Sequence, residues 1–331
     1  MKRIGFGLIG NLPIRTTIEL VQKAENYGFE SFWMHETYFY RDALSYLSSL
    51  VPSTNRIKLA TGCISPYTRH PVLIAMTMSA LDEMSAGRMI LGLGTGYLAR
   101  LDQMGIPHMN PVRHLEESIN IIRRLLAGET TTYQGRHFTL KDLKPFFPKS
   151  ERGIPIYMAA WKKRMIELAG RVADGYLARA TESLESLTVL SQNLKTACKT
   201  HGRDPSKIDM AAYLLCSVKK ADEAAREAMR QNPFTIYQFA VIDDYVLNQS
   251  GFDTAIKKQI AERYWKGDLS GASKEISDGL IDAFTITGTS DSVTEKVKAF
   301  SRIAMPILQP IGADIGDANA VLEAGRAFAE E

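Results

Sequence analysis

The chain has 331 residues, of which 45% are hydrophobic and 23% are charged. This length and composition predict a globular protein with a large buried core, either as two average domains or as one large α/β barrel. The formal net charge is +3, from 40 basic and 37 acidic residues, and no Lys/Arg block is interleaved with aromatic side chains. A nucleic-acid partner is therefore not expected. No window approaches the roughly 18 consecutive apolar residues of a membrane span.

The three cysteines, Cys63, Cys198 and Cys216, lack the spacing of a disulfide framework or of a metal site. This usage favours a reducing cytoplasm. Two basic residues followed by an apolar run at 4–12 resemble a signal peptide, but the run holds three glycines and no small-residue cleavage site follows. We interpret this stretch as the first strand.

Apolar runs alternate with segments of helical periodicity along the whole chain. The predicted strands cover residues 4–9, 31–34, 57–61, 89–93, 154–159, 175–178, 208–218 and 306–311. The predicted helices cover residues 16–27, 43–51, 72–84, 164–172, 184–200, 221–230 and 318–329. Continuous apolar strands that alternate with helices are typical of a parallel α/β sheet.

Eight such units predict a (β/α)8 TIM barrel, a fold that takes about 250 residues. The surplus lies in two insertions, at about 97–153 between the fourth and fifth strands and at about 232–286 before the eighth strand. Insertions on the carboxyl side of barrel strands build substrate lids. No linker divides the sequence, so we predict a single domain over residues 1–331. A doubly wound open sheet is the alternative fold.

The carboxyl ends of the strands are where a barrel carries its active site. Ala159 and Ala160 end the fifth predicted strand, and a helix starts near Trp161, with Lys162 and Lys163 beside it. Free backbone N–H groups at a helix start, next to two lysines, would suit a phosphate group. A basic helix start that is simply solvated is the alternative interpretation of the same residues.

Two other strand ends carry residues of chemical interest. His35 and Glu36 follow the second strand, where they could move protons or could only hydrogen-bond neighbouring loops. The turn GLGTG at residues 92–96 would bring backbone close to a phosphate or a ring, although it does not fit the dinucleotide motif G-x-G-x-x-G. No metal constellation emerges from the histidines. The motifs of hydrolases and nucleoside triphosphatases do not occur.

The stretches SPYTRHP and LDEMSAGRMILGLGTG resemble the bacterial-luciferase-like superfamily of flavin and deazaflavin oxidoreductases. Within it, the chain is most similar to the methylenetetrahydromethanopterin reductases, which use coenzyme F-420. The similarity continues through GIPIYMAAWKKRMIELAGRVADGYL, AAYLLCSV, GDLSGA, DAFTITGTSDSV and PIGADI. It therefore covers nearly the whole chain, with gaps mainly in the two insertions.

The resemblance implies a position for the cofactor. In such enzymes the third strand ends in a bulge with a non-proline cis peptide that supports the back of an isoalloxazine-like ring, and Gly62–Cys63 occupies that place here. An ordinary trans β-bulge is the alternative. The phosphate end would lie at the loops after the fourth and fifth strands. The implied cofactor-binding residues are Gly62, Cys63, Ser65, Gly94, Thr95, Gly96, Ala159, Ala160, Trp161, Lys162 and Lys163.

The residues that handle protons in the family are changed in this chain. Related reductases commonly show an Asp-His pair after the second strand, where Glu36-Thr37 stands here, with His35 one place early. Gly7 replaces a first-strand carboxylate of the reductases, and Tyr97 replaces the glutamate that glucose-6-phosphate dehydrogenases of the superfamily carry after the glycine turn. The candidates for proton transfer are therefore Glu36, His35 and Tyr97, in that order.

Motifs and resemblance together predict a cytoplasmic oxidoreductase that transfers a hydride between coenzyme F-420 and a small organic substrate, with a pterin as one substrate class. The alternative is an FMN-dependent monooxygenase or reductase on the same fold. A cofactor-binding protein that has lost catalysis is the alternative from another class. The expected partners are a small-molecule substrate and further copies of the chain, as a homodimer or a higher homo-oligomer. Metal, nucleic acid and membrane are not expected.

Overall fold

The computed structural model describes residues 2–312 and 314–330, and its main sheet is a closed ring of parallel strands. The strands are β1 (Gly5–Leu8), β2 (Ser31–Met34), β3 (Lys58–Thr61), β4 (Met89–Gly94), β5 (Thr131–Gln134), β6 (Thr139–Leu143), β7 (Ile156–Ala159), β8 (Gly175–Ala178), β9 (Asp209–Val218), β10 (Ile286–Gly288) and β11 (Met305–Pro310). The ring runs β1-β2-β3-β4-β7-β8-β9-β11 and closes where β11 pairs with β1. These eight strands confirm the predicted TIM barrel and exclude the open sheet.

Helices surround the barrel and cover its carboxyl end. They are α1 (Ile14–Asn26), α2 (Ala43–Leu50), α3 (Pro71–Met84), α4 (Leu98–Gln103), α5 (Pro111–Leu126), α6 (Lys163–Val172), α7 (Leu184–Thr200), α8 (Asp222–Gln231), α9 (Pro233–Ala240), α10 (Asp244–Gln249), α11 (Ala255–Trp265), α12 (Leu269–Lys274), α13 (Asp278–Phe284), α14 (Ser290–Ser301) and α15 (Ile315–Glu330). Within the described ranges, no helix is long and apolar enough to cross a membrane.

The side chains of each barrel strand alternate between two hydrophobic clusters, as the pleat of a strand requires. One cluster fills the barrel interior and includes Trp33, Tyr157, Tyr213 and Ile307. The other lies between the strands and the helices, and Phe32 of β2 belongs to it. The interior is therefore a packed core, and chemistry is left to the loops at the carboxyl end.

The two insertions lie between the strands where the sequence placed them, but the first also supplies a helix of the outer layer, and a further outer helix follows the second. α5 packs against both α3 and α6, so it is the outer helix that follows β4. α14 falls outside every predicted element, and it packs against β11 and α15. The first lid is narrower than predicted and consists of α4 with the β5–β6 hairpin. The second lid, α9 to α13, spans nearly the whole predicted insertion at about 232–286.

Candidate active site

The chain beyond β3 continues to pair with β4 after the strand ends. The N–H of Ile64 donates to the carbonyl of Gly92 at 3.0 Å, and the N–H of Gly94 donates to the carbonyl of Ile64 at 3.1 Å. Just before this contact, the Gly62–Cys63 peptide bond is cis. The structure therefore confirms the predicted cis bond and not the trans bulge.

Tyr213 of β9 holds this loop from inside the barrel. Its hydroxyl donates a hydrogen bond to the carbonyl of Gly62 at 3.0 Å. A β-carbon added to Gly62 would overlap that hydroxyl, and one added to Gly7 of β1 would lie 2.9 Å from the tyrosine ring. Both positions require glycine because Tyr213 fills the space. Tyr213 was not among the predicted site residues, although it is the one aromatic residue in the strand AAYLLCSV.

Cys63 packs its side chain onto the end of β4. A β-carbon added to Gly94 would lie 2.5 Å from the Cys63 sulfur, so the thiol takes the space that a side chain would need. Burial raises the pKa of the Cys63 thiol to about 12, and the nearby Glu36 carboxylate adds to the rise. The thiol is therefore protonated at neutral pH, and it serves as a packing group and not as a nucleophile.

The loop after β4 is tied to the loop after β3. Gly96 has a φ of +72°, and a β-carbon there would also overlap the hydroxyl of Tyr38. The Ser65 hydroxyl donates to the carbonyl of Thr95 at 3.1 Å and accepts from the N–H of Tyr67 at 3.2 Å. The predicted residues of these two loops therefore lie together, and Ser65 acts as a link between them.

Glu36 lies in the loop after β2, and its carboxylate reaches the start of α2, close to the Cys63 thiol. Its carboxylate accepts a hydrogen bond from the N–H of Ala43 at 3.1 Å. Burial raises the pKa of Glu36, and Asp42 raises it further, while the Ala43 hydrogen bond and Arg69 act in the opposite direction. A half-buried carboxyl group with a raised pKa is a candidate for proton exchange with a bound substrate.

His35 points into the barrel, on the same face of its strand as Trp33. Its ring lies 4.1 Å from the ring of Tyr213, measured between centroids. Burial lowers the pKa of His35 to about 4, with Gln309 acting weakly in the opposite direction. Its Nε2 atom is buried and has no hydrogen-bond partner within residues 2–312 and 314–330. The imidazole is therefore neutral at physiological pH. In this form it can donate or accept a hydrogen bond, but it does not carry an extra proton to give away.

Tyr97 connects the loop after β4 to the second lid. Its hydroxyl lies 3.5 Å from the side-chain amide nitrogen of Gln238 on α9, and its ring lies 5.9 Å from that of Tyr237. Burial raises the pKa of Tyr97, and the Gln238 contact opposes the rise. The phenol of Tyr97 therefore keeps its proton at neutral pH, and it lies beneath the second lid.

The end of β7 carries the residues that were predicted to hold a phosphate. Ala159 ends the strand and Ala160 follows it, Lys162 is the N-cap of α6 without a side-chain cap, and α6 begins at Lys163. The side chains of Trp161 and of both lysines are exposed. Free N–H groups at this helix start remain available to an anion, because no side chain caps them.

The end of β8 adds a cation that was not among the predicted binding residues. The guanidinium of Arg179 lies over the ring of Trp161 at 5.7 Å, and its Nε lies 3.4 Å from a carboxylate oxygen of Glu182. Its Nη2 is buried and lacks a hydrogen-bond partner among the described residues. Burial raises the pKa of Glu182, and Arg179 opposes that rise. The only signal in the sequence was the position of residue 179 just after a predicted strand.

Fold and candidate site together define a TIM-barrel enzyme with a helix start suited to an anion at the carboxyl end of its strands. Small residues stand at the ends of β3, β4 and β7, and an uncapped helix start with a guanidinium N–H that has no partner among the described residues lies beside them. The chain belongs to the family described as luciferase-like monooxygenases, which it matches over residues 3–305. The family inferred from the motifs is therefore confirmed.

Two relatives and one solved structure show which kinds of enzyme the chain is similar to within this family. The chain is 35% identical over 312 residues to 5,10-methylenetetrahydromethanopterin reductase of Methanolobus tindarius, covering 93% of this chain and 94% of the relative. It is 32% identical over 220 residues to F-420-dependent glucose-6-phosphate dehydrogenase of Microbacterium testaceum (strain StLB037), covering 62% and 65%. The solved structure of coenzyme F-420-dependent tetrahydromethanopterin reductase from Methanopyrus kandleri superposes with a TM-score of 0.88 at 28% identity, covering 98% of this chain and 97% of that one.

Proposed function

We propose that the protein is an oxidoreductase that transfers a hydride between coenzyme F-420 and a small organic substrate of the pterin class. The observation that carries this proposal is similarity over almost the full length of a methylenetetrahydromethanopterin reductase, which includes the lids as well as the barrel. Agreement of the fold with a coenzyme F-420-dependent reductase supports the same choice of cofactor.

The chain would contribute binding and orientation, while the cofactor supplies the hydride chemistry. The back wall for the ring would be Gly62 and Cys63, with the backbone of the turn at residues 94–96 beside it. Its phosphate would lie at the start of α6, near Lys162 and Lys163. This arrangement uses the small residues of the loops after β3 and β4 and the uncapped helix start of α6.

Proton transfer must accompany the hydride, because the reduced cofactor gives up a proton as well as a hydride when it is oxidised. Glu36 is the first candidate, since it is a half-buried carboxyl group with a raised pKa at the carboxyl end of the barrel. His35 is neutral and half-buried, and Tyr97 lies below the lid, so each would orient a reacting group by a hydrogen bond.

An FMN-dependent monooxygenase or reductase is the second candidate, because the family as a whole is described as luciferase-like monooxygenases. The two candidates imply different reactions. Reduced FMN can activate oxygen, whereas a deazaflavin reacts with oxygen poorly and exchanges hydride with organic substrates.

An anaerobic assay of hydride transfer tests the proposal. Purified protein with reduced coenzyme F-420 and methylenetetrahydromethanopterin should regenerate the absorbance of the oxidised deazaflavin, and this absorbance should not return when the pterin is left out.

In the same assay, Glu36→Gln should lower kcat by roughly 10²–10⁴-fold. Glu19→Gln, an exposed carboxylate of α1, is the matched control and should leave the rate unchanged. Absence of pterin-dependent turnover, with oxygen-dependent oxidation of reduced FMN instead, would favour the second candidate. No turnover with either cofactor would favour a binding protein.

We also propose that the protein is a cytoplasmic homodimer or higher homo-oligomer. Three free cysteines support a reducing compartment. Leu73 and Met76, one turn apart on α3, are exposed apolar side chains that a second copy would cover. Light scattering should give at least twice the monomer mass of 36.8 kDa, and Leu73→Glu should lower it.

A further inference from the structure

The first strand of the barrel carries only glycine on its inner face. β-Carbons added at Gly5 and Gly7 would lie 3.1 and 2.9 Å from side chains of the barrel interior, whereas Phe6 and Leu8 belong to the outer cluster. In the ring of strands, β1 lies between β2 and β11. Side chains of β2 and β11 can therefore meet inside the barrel across these glycines, over two strand spacings of roughly 9–10 Å in total.

His35 and Gln309 come from the two strands that flank these glycines. The N–H of His35 donates to a carbonyl of β1 at 3.0 Å, so strand pairing continues past β2 and the ring points inward like that of Trp33. Gln309 lies in β11, two residues after Ile307 of the interior cluster, and it is 1% exposed. Both side chains are therefore directed into the space that β1 leaves open.

Each of these side chains has one buried polar atom without a hydrogen-bond partner among the described residues, the Nε2 of His35 and the Oε1 of Gln309. The hydroxyl of Tyr213, whose ring lies 4.1 Å from that of His35, already donates to the carbonyl of Gly62. Burial lowers the pKa of His35 to about 4, and Gln309 opposes this as an acceptor close to a ring N–H does. Because buried polar atoms are rarely left unpaired, each atom is the partner that the other lacks.

The chemistry of the two atoms fixes the direction of this hydrogen bond. An amide oxygen can only accept, so the proton must lie on the Nε2 of His35. A neutral imidazole has a single N–H, and its Nδ1 is then left as an acceptor. His35 is half-buried, and with Nε2 turned into the core its accessible side includes Nδ1. The acceptor therefore faces the carboxyl end of the barrel.

We propose that Gln309 is a positioning residue that holds the ring of His35 in one orientation with the proton on Nε2, so that Nδ1 accepts a hydrogen bond from the substrate. The tautomer follows from the geometry of the two side chains, whereas the substrate contact rests on the proposed function. Such an acceptor selects a substrate that presents an N–H or O–H group at this place over one that presents only carbonyl or ether oxygens.

Nitrogen-15 NMR of protein labelled at its six histidines tests the tautomer, because the shift of each ring nitrogen depends on whether it carries the proton. His35→Gln identifies the signals of His35. At neutral pH the wild type should carry the proton on Nε2. Gln309→Met keeps the side-chain length but removes the acceptor, and should lower the ratio of the Nε2–H to the Nδ1–H tautomer by roughly two- to tenfold.

Ser217→Ala is the matched control, because it removes another buried polar atom of the barrel interior that lacks a partner in the described part of the chain. It should leave the tautomer ratio of His35 unchanged. A proton on Nδ1 in the wild type, or an equal ratio in the wild type and Gln309→Met, would overturn the inference. If Gln309→Met loses its native circular dichroism, Gln309→Asn, whose amide is one methylene shorter, replaces it with the same expected change.

Kinetics in the anaerobic pterin assay separate this inference from the proposed function. Gln309→Met should raise KM for the pterin by roughly two- to tenfold, because the freed ring must be ordered again when the substrate binds. Its affinity for coenzyme F-420 should stay at the wild-type value. A changed tautomer with an unchanged KM would overturn the substrate contact. Absence of turnover by the wild type would contradict the proposed function, and the NMR result would still decide the role of Gln309.

Discussion

Tyr213 of β9 determines which residues can occupy position 7 in β1 and position 62 after β3. Its hydroxyl donates to the carbonyl of Gly62, and its ring fills the space that a side chain at Gly62 or Gly7 would need. The three positions should therefore be coupled in free energy, because each substitution changes the space open to the others.

A double-mutant cycle at Gly62 and Tyr213 measures this coupling. Gly62→Ala should lower the free energy of unfolding by about 1–3 kcal/mol, because the methyl group overpacks against the phenol. Tyr213→Phe removes the overlapping oxygen, so the double variant should lose less than the sum of the two single variants. Urea unfolding of the four proteins gives the four free energies. Strictly additive losses would contradict the contact.

His35 should make stability depend on pH at mildly acidic values. Its pKa is about 4 in the folded protein against an ordinary value of 6.5, so the unfolded chain binds more protons between these values. Stability therefore falls as the pH falls through this window. Between about pH 7 and pH 4, the wild type should lose about 3 kcal/mol more than His35→Gln in urea unfolding. Parallel pH profiles of the two proteins would mean that His35 is not buried as a neutral ring.

At the scale of elements, hydrophobic periodicity predicted all eight strands of the barrel ring. β2, β8 and α7 begin and end at their predicted residues, because apolar runs and helical spacing are local signals. α5 was included in a lid, since its buried face contains the polar residues His114, Glu117 and Ser118, which conceal its packing role. The lid helices α9 to α13 are short, and α10 to α13 each bury only one to three side chains, so their periodicity gave no distinct pattern.

The start of α6 carries a prediction about cofactor binding. The double variant Lys162→Ala/Lys163→Ala should fold normally, because both side chains are exposed, and should bind coenzyme F-420 roughly tenfold to a hundredfold more weakly. The matched control is Lys195→Ala/Lys199→Ala, which removes two exposed lysines of α7. Fluorescence titration gives both affinities. If the first double variant binds as tightly as the second, the phosphate lies elsewhere, with Arg179 as the next cation to replace.

At the scale of the whole molecule, the sequence predicted which strand ends would carry the site but not which side chains meet across it. Gly62 and Tyr213 are separated by 151 residues, and Tyr97 and Gln238 by 141. Such contacts arise only when the barrel closes, so no local pattern signals them. The resemblance supplied the cis peptide and the cofactor class, which periodicity alone could not provide. The single-domain organisation and the role of each cofactor-binding residue stay predictions.

The choice of cofactor is the central claim, and equilibrium titration of the purified wild-type protein with coenzyme F-420 and with FMN tests it most directly. We expect coenzyme F-420 to bind with a dissociation constant in the low micromolar range or below, and FMN to bind more weakly. Competition between the two ligands would place them at the same site. Tight binding of FMN together with no detectable binding of coenzyme F-420 would contradict the account.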